Sequence, residues 1–447
     1  SLLTPVGAVS TRSPFVLARR SGGMTTKSVV LAGAGLAGLV AARRLADAGA
    51  DVTVCERRPA VGGRVRSESI EGFTLDRGFQ VLFTAYPAVR AELDLDALDL
   101  RYFTPGAVIA RPGSRSTLSD PLRDPRALVA SIRNDEVTLT DKARTLLLRQ
   151  HVGTREEAEI FGSADQSIRS YLQSWGFSDG YIENFVAPFY GGVTLDRSLS
   201  TSKRVFEYTF KSLAEGRIAV PAAGIGAIAD QLAGRTRAAG ASIRCSEPVD
   251  AITDHGDGVT VETRSGSVDA DAAVVATDPK EAARLTGIDA IPTDARGCVT
   301  QYYRLPGSVA PETRRKLLLN AGDTSPNTVV PISEVAPEYA PGSEALLNAT
   351  FLGADAQERD ADALTEETRL TLAAWYPERD FSALEHLRTH RIEFAQFDQP
   401  PGVHDDLPGH RAPGGRTYLA GDYTAWSAIQ GAMRRGQEVA AAVLQDL

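Results

Sequence analysis

A glycine-spaced loop followed by one acidic residue is the part of this sequence whose residue types indicate chemistry most directly. Residues 28–38 read SVVLAGAGLAG, an apolar run that enters Gly33-x-Gly35-x-x-Gly38. Glycines at these spacings permit a tight turn, let the backbone approach a pyrophosphate and let a helix pack close to the strand. Glu56 follows at the spacing expected for a carboxylate that binds a ribose hydroxyl. The pattern predicts a dinucleotide-binding βαβ unit whose helix N-terminus faces the phosphates.

Three separated segments supply the strands and helices that would position this loop. Residues 28–56 predict a strand, a helix and a second strand. Residues 241–252 have a strand pattern, and the chain up to residue 277 continues as alternating and then fully apolar strands between turns. Residues 417–447 predict a strand and then a helix from Ala428. Because these segments lie far apart in the sequence, we expect them to form a discontinuous domain.

We predict an α/β fold in two domains, since a chain of 447 residues can bury more than one core. A Rossmann-type cofactor-binding domain is expected over 24–95, 220–285 and 400–447. Residues 96–219 and 286–399 are expected to form an α+β substrate domain.

Aromatic residues are concentrated in one stretch of the expected substrate domain. Residues 171–210 contain ten of the thirty Phe, Tyr and Trp side chains of the chain. Such a cluster is typical either of the wall of an apolar substrate cavity or of a helical core. Both interpretations stay open at this point.

The composition indicates which partners and metal sites are not expected. The net charge of −9 argues against nucleic acid as a partner, and no apolar run is long enough to span a bilayer. Three isolated cysteines fit a reducing compartment better than a disulfide framework, and no spacing of histidines or cysteines indicates a metal site. We therefore expect a cytoplasmic protein without a metal. Contact with a membrane surface and the oligomeric state stay open.

Residues 1–23 differ in composition from the rest of the chain. They contain three arginines, several Ser and Thr residues and no acidic residue. This composition is typical of a transit peptide, which would direct import into an organelle. The other interpretation is an upstream extension before a natural start at Met24. In either case we expect these residues to lie outside the core.

Two stretches resemble the flavin amine oxidase superfamily, which includes monoamine and polyamine oxidases, protoporphyrinogen oxidase and the phytoene- and squalene-type desaturases. Residues 56–67 read ERRPAVGGRVRS and are similar to the family's segment after the second strand, where the Gly-Gly-Arg turn embraces the FAD pyrophosphate. Residues 419–424 read LAGDYT and are similar to the C-terminal flavin motif. In that motif the aspartate hydrogen-bonds the ribityl and phosphate region, and the amides that open the last helix face the flavin O2.

The resemblance implies an FAD site and the residues that form it. Because the C-terminal flavin segment contains no cysteine for a link to the ring, the FAD is expected to be non-covalent. Val249 stands where the family's backbone meets the adenine, and Gly78 stands near the isoalloxazine. The implied cofactor-binding residues are Gly33, Gly35, Leu36, Gly38, Glu56, Arg57, Gly63, Arg64, Gly78, Val249, Gly421, Asp422, Ile429 and Ala432.

The motifs resemble those of the desaturase and protoporphyrinogen oxidase branch most closely. This resemblance implies an FAD-dependent oxidoreductase that desaturates or oxidises an apolar small molecule by hydride transfer to flavin N5. An amine or amino-acid oxidase that produces hydrogen peroxide, and a flavin-binding protein without turnover, are the alternatives. Candidate substrate residues are Tyr302, Tyr303, Gln396 and Trp426, and no catalytic base is assigned. A carboxylate-binding Arg304 beside the flavin would favour an amino-acid oxidase instead.

Overall fold

The computed structural model describes residues 26–118, 137–322 and 324–447, so the segment 1–23 lies outside the described residues. One layer of the fold is a five-stranded parallel sheet built from the three separated segments. Across this sheet the strands follow the order Ser242–Cys245, Asp51–Glu56, Ser28–Ala32, Ala272–Val275 and Thr417–Leu419. The predicted α/β fold class is confirmed. The residue bounds assigned to the two domains stay a prediction.

The central strand of the parallel sheet is buried on both faces, because its side chains alternate between two cores. One set packs against the helices Leu36–Asp47, Ala227–Ala238 and Ile429–Asp446. The other set, Val30 and Ala32, packs against an antiparallel meander. The strands of this meander are Val249–Asp254, Val259–Thr263 and Gly266–Ala270.

The strand pattern over 241–252 forms two strands, although one was predicted. Ser246 has a positive φ of 57°, and the chain turns at this residue. The residues before the turn join the parallel sheet, whereas those after it begin the meander. The strands and helices predicted within 28–56 and from Ala428 onward are confirmed.

A seven-stranded sheet forms the second layer of the fold. Its strands follow the order Glu385–Phe397, Ala295–Pro306, Glu344–Leu352, Thr328–Pro331, Leu317–Asn320, Ala107–Arg111 and Ser114–Leu118. Neighbouring strands are antiparallel except for Leu317–Asn320 and Ala107–Arg111, which pair in parallel. One face of this sheet packs against the helix Ala361–Trp375. The other face packs against the hairpin formed by Ser67–Ile70 and Phe73–Asp76.

A group of helices within residues 139–215 contains the aromatic cluster. The helices are Leu139–Gly153, Glu157–Phe161, Ile168–Ser174, Asp179–Tyr181, Ala187–Thr194 and Lys203–Glu215, with a π-helical turn at Ile182–Val186. Most aromatic side chains of 171–210, including Tyr171 and Phe177, pack in the core of this group. Of these aromatic residues, Phe189 lines a cavity described below. The helical-core interpretation therefore holds for most of the cluster.

Short elements join the layers. They are the hairpin Ser67–Ile70 and Phe73–Asp76, the small sheet of Leu82–Phe83, Ile218–Pro221 and Leu100–Tyr102, the helices Pro87–Glu92, Pro279–Thr286, Ile332–Val335, Ala354–Glu358 and Val403–Asp406, and the 3₁₀ turns Gly307–Val309, Pro337–Tyr339 and Asp422–Thr424. None of the helices in the described part of the chain combines the length and the apolar composition that a membrane span requires.

The buried carboxylate of Asp76, at the end of the hairpin, connects the hairpin to two other segments of the chain. One oxygen accepts from the Ser67 hydroxyl at 2.6 Å and from the Ile225 amide at 2.8 Å. The other oxygen accepts from the Tyr339 hydroxyl at 3.0 Å. Burial raises the pKa of Asp76 to about 6, although these hydrogen bonds oppose the shift. Because this pKa lies above the unfolded value, the stabilising contribution of Asp76 is complete below about pH 4 and is lost as the pH rises through about 6.

We expect Asp76→Asn to be more stable than the wild type at pH 7 and to lose this advantage towards pH 4. The asparagine oxygen can keep both bonds to Ser67 and Ile225, and the Tyr339 hydroxyl also lies 3.2 Å from the Pro221 carbonyl oxygen. The difference should reach up to about 3 kcal/mol, measured from unfolding midpoints across this pH range. Asp257→Asn, in an exposed turn, is the control. A pH-independent difference would contradict the raised pKa.

Candidate cofactor and substrate site

A cavity of about 720 Å³ lies at the carboxyl ends of the parallel strands and is called the cofactor cavity below. Its wall includes residues that come just after four of these strands, namely Gly33, Arg57, Ala276 and Gly421. Open α/β sheets bind their ligands in the crevice outside the carboxyl ends of the strands. The position of the cavity therefore marks it as the candidate binding site.

The glycine loop shapes one side of the cofactor cavity. Gly33 has a φ of +104°, and a Cβ there would come within 2.6 Å of the Ala276 carbonyl oxygen. A Cβ on Gly38 would come within 2.1 Å of the Gly33 carbonyl oxygen, so Gly38 packs against the loop and does not line the cavity. A Cβ on Gly35 would meet nothing within 4 Å. Because Gly35 lines the cavity, the missing side chain leaves room there for a phosphate.

Two helices begin at the wall of the same cavity. Leu36–Asp47 begins after Gly35, and Ile429–Asp446 begins after Ala428. Neither helix has a side-chain cap or an acidic residue in its first turn. Uncapped N–H groups and the positive end of the helix dipole favour negative charge on a ligand. The cavity can therefore stabilise anionic groups at two places.

Glu56 holds a buried carboxylate between two loops at the cavity wall. One oxygen accepts from the Ala34 amide at 2.8 Å, and the other accepts from the Arg58 amide at 2.9 Å. These two bonds fix the orientation of the carboxylate. Each oxygen keeps a lone pair for a further donor, so the arrangement fits a ribose hydroxyl.

An ion pair between Arg64 and Asp422 forms another part of the wall of the cofactor cavity. Arg64 donates to Asp422 at 2.6 Å and to the Ala395 carbonyl oxygen at 2.9 Å. Ser427 donates to the second Asp422 oxygen at 2.7 Å. Burial disfavours the charged form of Arg64, but the Asp422 carboxylate outweighs this effect and raises the pKa of the guanidinium. Arg64 therefore presents a permanent positive charge to the cavity, and 36% of its side chain is exposed there.

Apart from Gly38, every predicted cofactor-binding residue lines the cofactor cavity. Arg57 also forms an ion pair with Asp278, whose carboxylate lies 3.0 Å from the guanidinium. Some residues of the wall were not predicted, and these include Arg58, Arg66, Arg77, Lys280 and Cys298. Arg58 and Arg66 flank the Gly-Gly-Arg turn in the sequence, and this excess of basic residues was a signal that could have identified them.

A second cavity of about 240 Å³, called the apolar chamber below, adjoins the cofactor cavity. The wall of the apolar chamber consists of Phe79, Gln80, Val81, Phe83, Tyr86, Phe103, Phe189, Gly192, Val193, Leu195, Val205, Thr209, Ile218, Cys298, Leu317, Leu319, Thr328, Thr350, Gln396, Trp426, Ser427, Ala428 and Ile429. None of these described wall residues is Asp, Glu, Lys, Arg or His. Moving an unpaired charge into such a space is costly, so the chamber fits an apolar ligand.

The two cavities share part of their walls. Phe79, Cys298, Gln396 and Ile429 line both of them. A ligand in the apolar chamber would therefore lie next to a ligand in the cofactor cavity. Burial raises the pKa of the Cys298 thiol to about 11, so this shared cysteine stays neutral near pH 7.

Two of the four predicted substrate residues, Gln396 and Trp426, line the apolar chamber. The structure does not bring the other two, Tyr302 and Tyr303, to the site, because neither residue lines either cavity. Neighbouring residues of a strand point to opposite faces, and these two tyrosines pack in different cores. The Tyr302 hydroxyl donates to the Asp76 carbonyl oxygen at 2.9 Å, so it is bonded within the protein.

Arg304 lies away from both cavities. Its guanidinium forms ion pairs with Glu71 at 2.7 Å and with Glu385 at 2.8 Å. Arg304 therefore has carboxylate partners within the protein and does not supply a carboxylate-binding group to the site.

The glycine loop, the buried carboxylate and two uncapped helices around one cavity define a dinucleotide-binding protein. A family model described as flavin-containing amine oxidoreductase matches residues 36–444. The chain therefore belongs to this family of flavin-dependent oxidoreductases, and the resemblance seen in the sequence is confirmed.

Individual relatives are more distant. The chain is 29% identical to protoporphyrinogen oxidase 2 of Arabidopsis thaliana over 170 residues, which span 38% of this chain and 32% of that protein. It is 25% identical to 15-cis-phytoene desaturase of Glycine max over 476 residues, which span 94% of this chain and 80% of that protein. A solved structure of wild-type putrescine oxidase bound to putrescine has a TM-score of 0.68 at 18% identity, and the match covers 94% of this chain and 99% of that chain. The last similarity shows the fold alone.

We expect Glu56→Gln to weaken FAD binding more than it weakens the fold. Glutamine removes the charge and turns an N–H donor toward either the Ala34 or the Arg58 amide. Losing a charge-assisted hydrogen bond to ribose costs about 1.5–3 kcal/mol, or roughly a ten- to hundredfold rise in Kd. Flavin titration measures this change, and Glu262→Gln on an exposed strand position is the matched control. An unchanged Kd with a lowered melting temperature would mean that Glu56 only joins the two loops.

Proposed function

We propose that this protein holds FAD non-covalently and dehydrogenates an apolar small molecule by hydride transfer to flavin N5. The observation that carries the proposal is the uncharged apolar chamber beside the cofactor cavity. The family supplies the flavin chemistry, and the chamber indicates the kind of molecule that is oxidised.

The residues of the cofactor cavity fit a flavin dinucleotide. Gly35 leaves space for a phosphate, and Glu56 offers lone pairs to a ribose. The helix that begins at Ile429 directs its uncapped N-terminus to the part of the cavity that adjoins the chamber. Negative charge that develops on a ring at this position is stabilised by the helix dipole. The neutral Cys298 thiol supports non-covalent attachment, because a thiolate is the reactive form of cysteine.

The apolar chamber has the properties that such a reaction needs from the protein. When bound, the flavin supplies the acceptor for two electrons. Phe79, Phe103 and Trp426 enclose the neighbouring space and exclude water from it. The Gln396 amide donates to the Val193 carbonyl oxygen at 3.1 Å, so its position at the boundary between the cavities is fixed. These residues can hold a C–H bond of an apolar molecule against the flavin.

The relatives give further support for an apolar substrate. Several relatives matched by sequence are proteins named for phytoene. An amine would have to enter the chamber uncharged, because the described wall offers no carboxylate to pair with an ammonium group.

The protein is expected to purify yellow, with FAD that leaves the chain on denaturation. After acid treatment, the flavin absorbance of the supernatant measures released FAD, and that of the redissolved precipitate measures flavin that is attached to the chain. Flavin that stays with the precipitated chain would contradict non-covalent attachment. A colourless protein that takes up no FAD would contradict the cofactor itself.

Apolar substrates are expected to reduce the flavin, whereas charged ones are not. Anaerobic mixing with phytoene as the apolar substrate, or with putrescine or free amino acids as the charged ones, followed by flavin absorbance, compares the classes. Val205→Trp, which would fill the apolar chamber, should slow reduction by the active substrate at least about tenfold, because the C–H bond can no longer reach the flavin. Reduction by dithionite and the FAD content should not change, and Glu215→Trp at the exposed end of the same helix is the matched control.

Rapid reduction by putrescine or by an amino acid would contradict the apolar substrate and favour an amine or amino-acid oxidase. Absence of reduction by every class, in a protein that binds FAD, would favour a flavin-binding protein without turnover.

A further inference from the structure

Two arginines face each other at the end of the hairpin that borders the cofactor cavity. The strands Ser67–Ile70 and Phe73–Asp76 pair with Ser67 opposite Asp76. The ladder continues by one step, because the Arg77 amide donates to the Arg66 carbonyl oxygen at 2.8 Å. Arg66 and Arg77 are therefore directly opposite, and both side chains line the cofactor cavity.

Neither guanidinium is neutralised within the protein. Among the residues that the structure describes, the side chains of Arg66 and Arg77 have no hydrogen-bond or ion-pair partner, and the Nε atom of Arg66 is buried. Other arginines of the same wall differ in this respect. Arg64 is paired with Asp422, and Arg58 donates to a backbone carbonyl oxygen at 3.0 Å.

This placement is unfavourable unless an anion lies between the two side chains. Like charges directly opposite each other on paired strands repel. Burial, followed by the charges of Arg58 and Arg77, lowers the pKa of the Arg66 guanidinium, although Glu56 and Glu68 oppose the shift. The Glu68 carboxylate is itself already bonded to Arg388 and His390. An anion between the two guanidinium groups would convert repulsion into attraction.

We propose that Arg66 and Arg77 are a phosphate-binding pair that holds the diphosphate of the flavin dinucleotide. The inference rests on the proposed function, since it requires FAD in the cofactor cavity. The anion belongs to the cofactor and not to the substrate, because both arginines line the cofactor cavity and neither lines the apolar chamber. The pair adds to the Gly35 loop and to Arg64, whose charge is shared with Asp422.

The test measures the Kd of FAD for deflavinated protein at low and high ionic strength. We expect the double variant Arg66→Gln/Arg77→Gln to raise Kd at low salt by roughly tenfold or more. The difference should shrink in 1 M KCl, where charges are screened over about 3 Å. The melting temperature of the FAD-free variant should be equal to or above that of the FAD-free wild type, because the repulsion is gone. A smaller rise of melting temperature on adding FAD should accompany this change.

Two further variants make the result specific. Arg66→Lys/Arg77→Lys keeps both charges but not the planar fork, so it should retain the salt dependence and recover part of the affinity. If the double glutamine variant does not fold, the Kd of FAD is measured instead for the double lysine variant and for the single variant Arg77→Gln. Arg369→Gln, on a half-buried helix position that lines neither cavity, should leave Kd unchanged.

An unchanged Kd for FAD in a folded double glutamine variant would overturn the inference and assign the pair to another anion. A wild-type protein that binds no FAD at all would overturn the proposed cofactor, and the inference with it. The two failures are therefore distinguishable.

Discussion

The ion pair between Arg64 and Asp422 connects segments that are 358 residues apart, and the shape of the cofactor cavity depends on it. Asp422 is buried, and its carboxylate is shared between Arg64 and the hydroxyl group of Ser427. Without the guanidinium, a buried carboxylate would be left without its charge partner, which is strongly destabilising. The same guanidinium also binds the Ala395 carbonyl oxygen at the end of the longest strand of the seven-stranded sheet. One arginine thus holds three chain segments together around one cavity.

Local sequence patterns were sufficient to predict the glycine loop and the strands beside it, because those features arise from near neighbours in the chain. Position 33 has a positive φ and lies close to the backbone of Ala276, and both conditions require glycine, which is visible in the sequence. The turn at Ser246 was not predicted, because a positive φ at a residue other than glycine cannot be recognised from the residue type. Burial of strand residues was predictable, but the assignment of a strand to one of two neighbouring sheets was not.

The substrate side of the site depends on contacts between distant segments, and the sequence predicted it less well. Alternation along a strand implies that Tyr302 and Tyr303 point to opposite faces, so at most one of them could have lined a cavity. The high aromatic content of residues 171–210 was compatible with a cavity wall, yet most of these side chains pack in a helical core. Much of the aromatic wall of the chamber comes instead from the segment between Phe79 and Phe103, which contains two short strands and one short helix. Composition identifies where apolar side chains are frequent, but tertiary packing decides which of them face a cavity.

The distribution of charge separates the two halves of the site. Several of the described cations, including Arg58, Arg64 and Arg66, line the cofactor cavity, whereas the wall of the apolar chamber has none. A charged ligand is therefore stabilised on one side of Gln396 and excluded on the other. Electrostatic interactions are also stronger where water is absent, so the helix dipole that begins at Ile429 acts with most effect beside the chamber. The charge distribution of this fold thus favours an anionic group in the cofactor cavity and an uncharged, apolar group in the chamber.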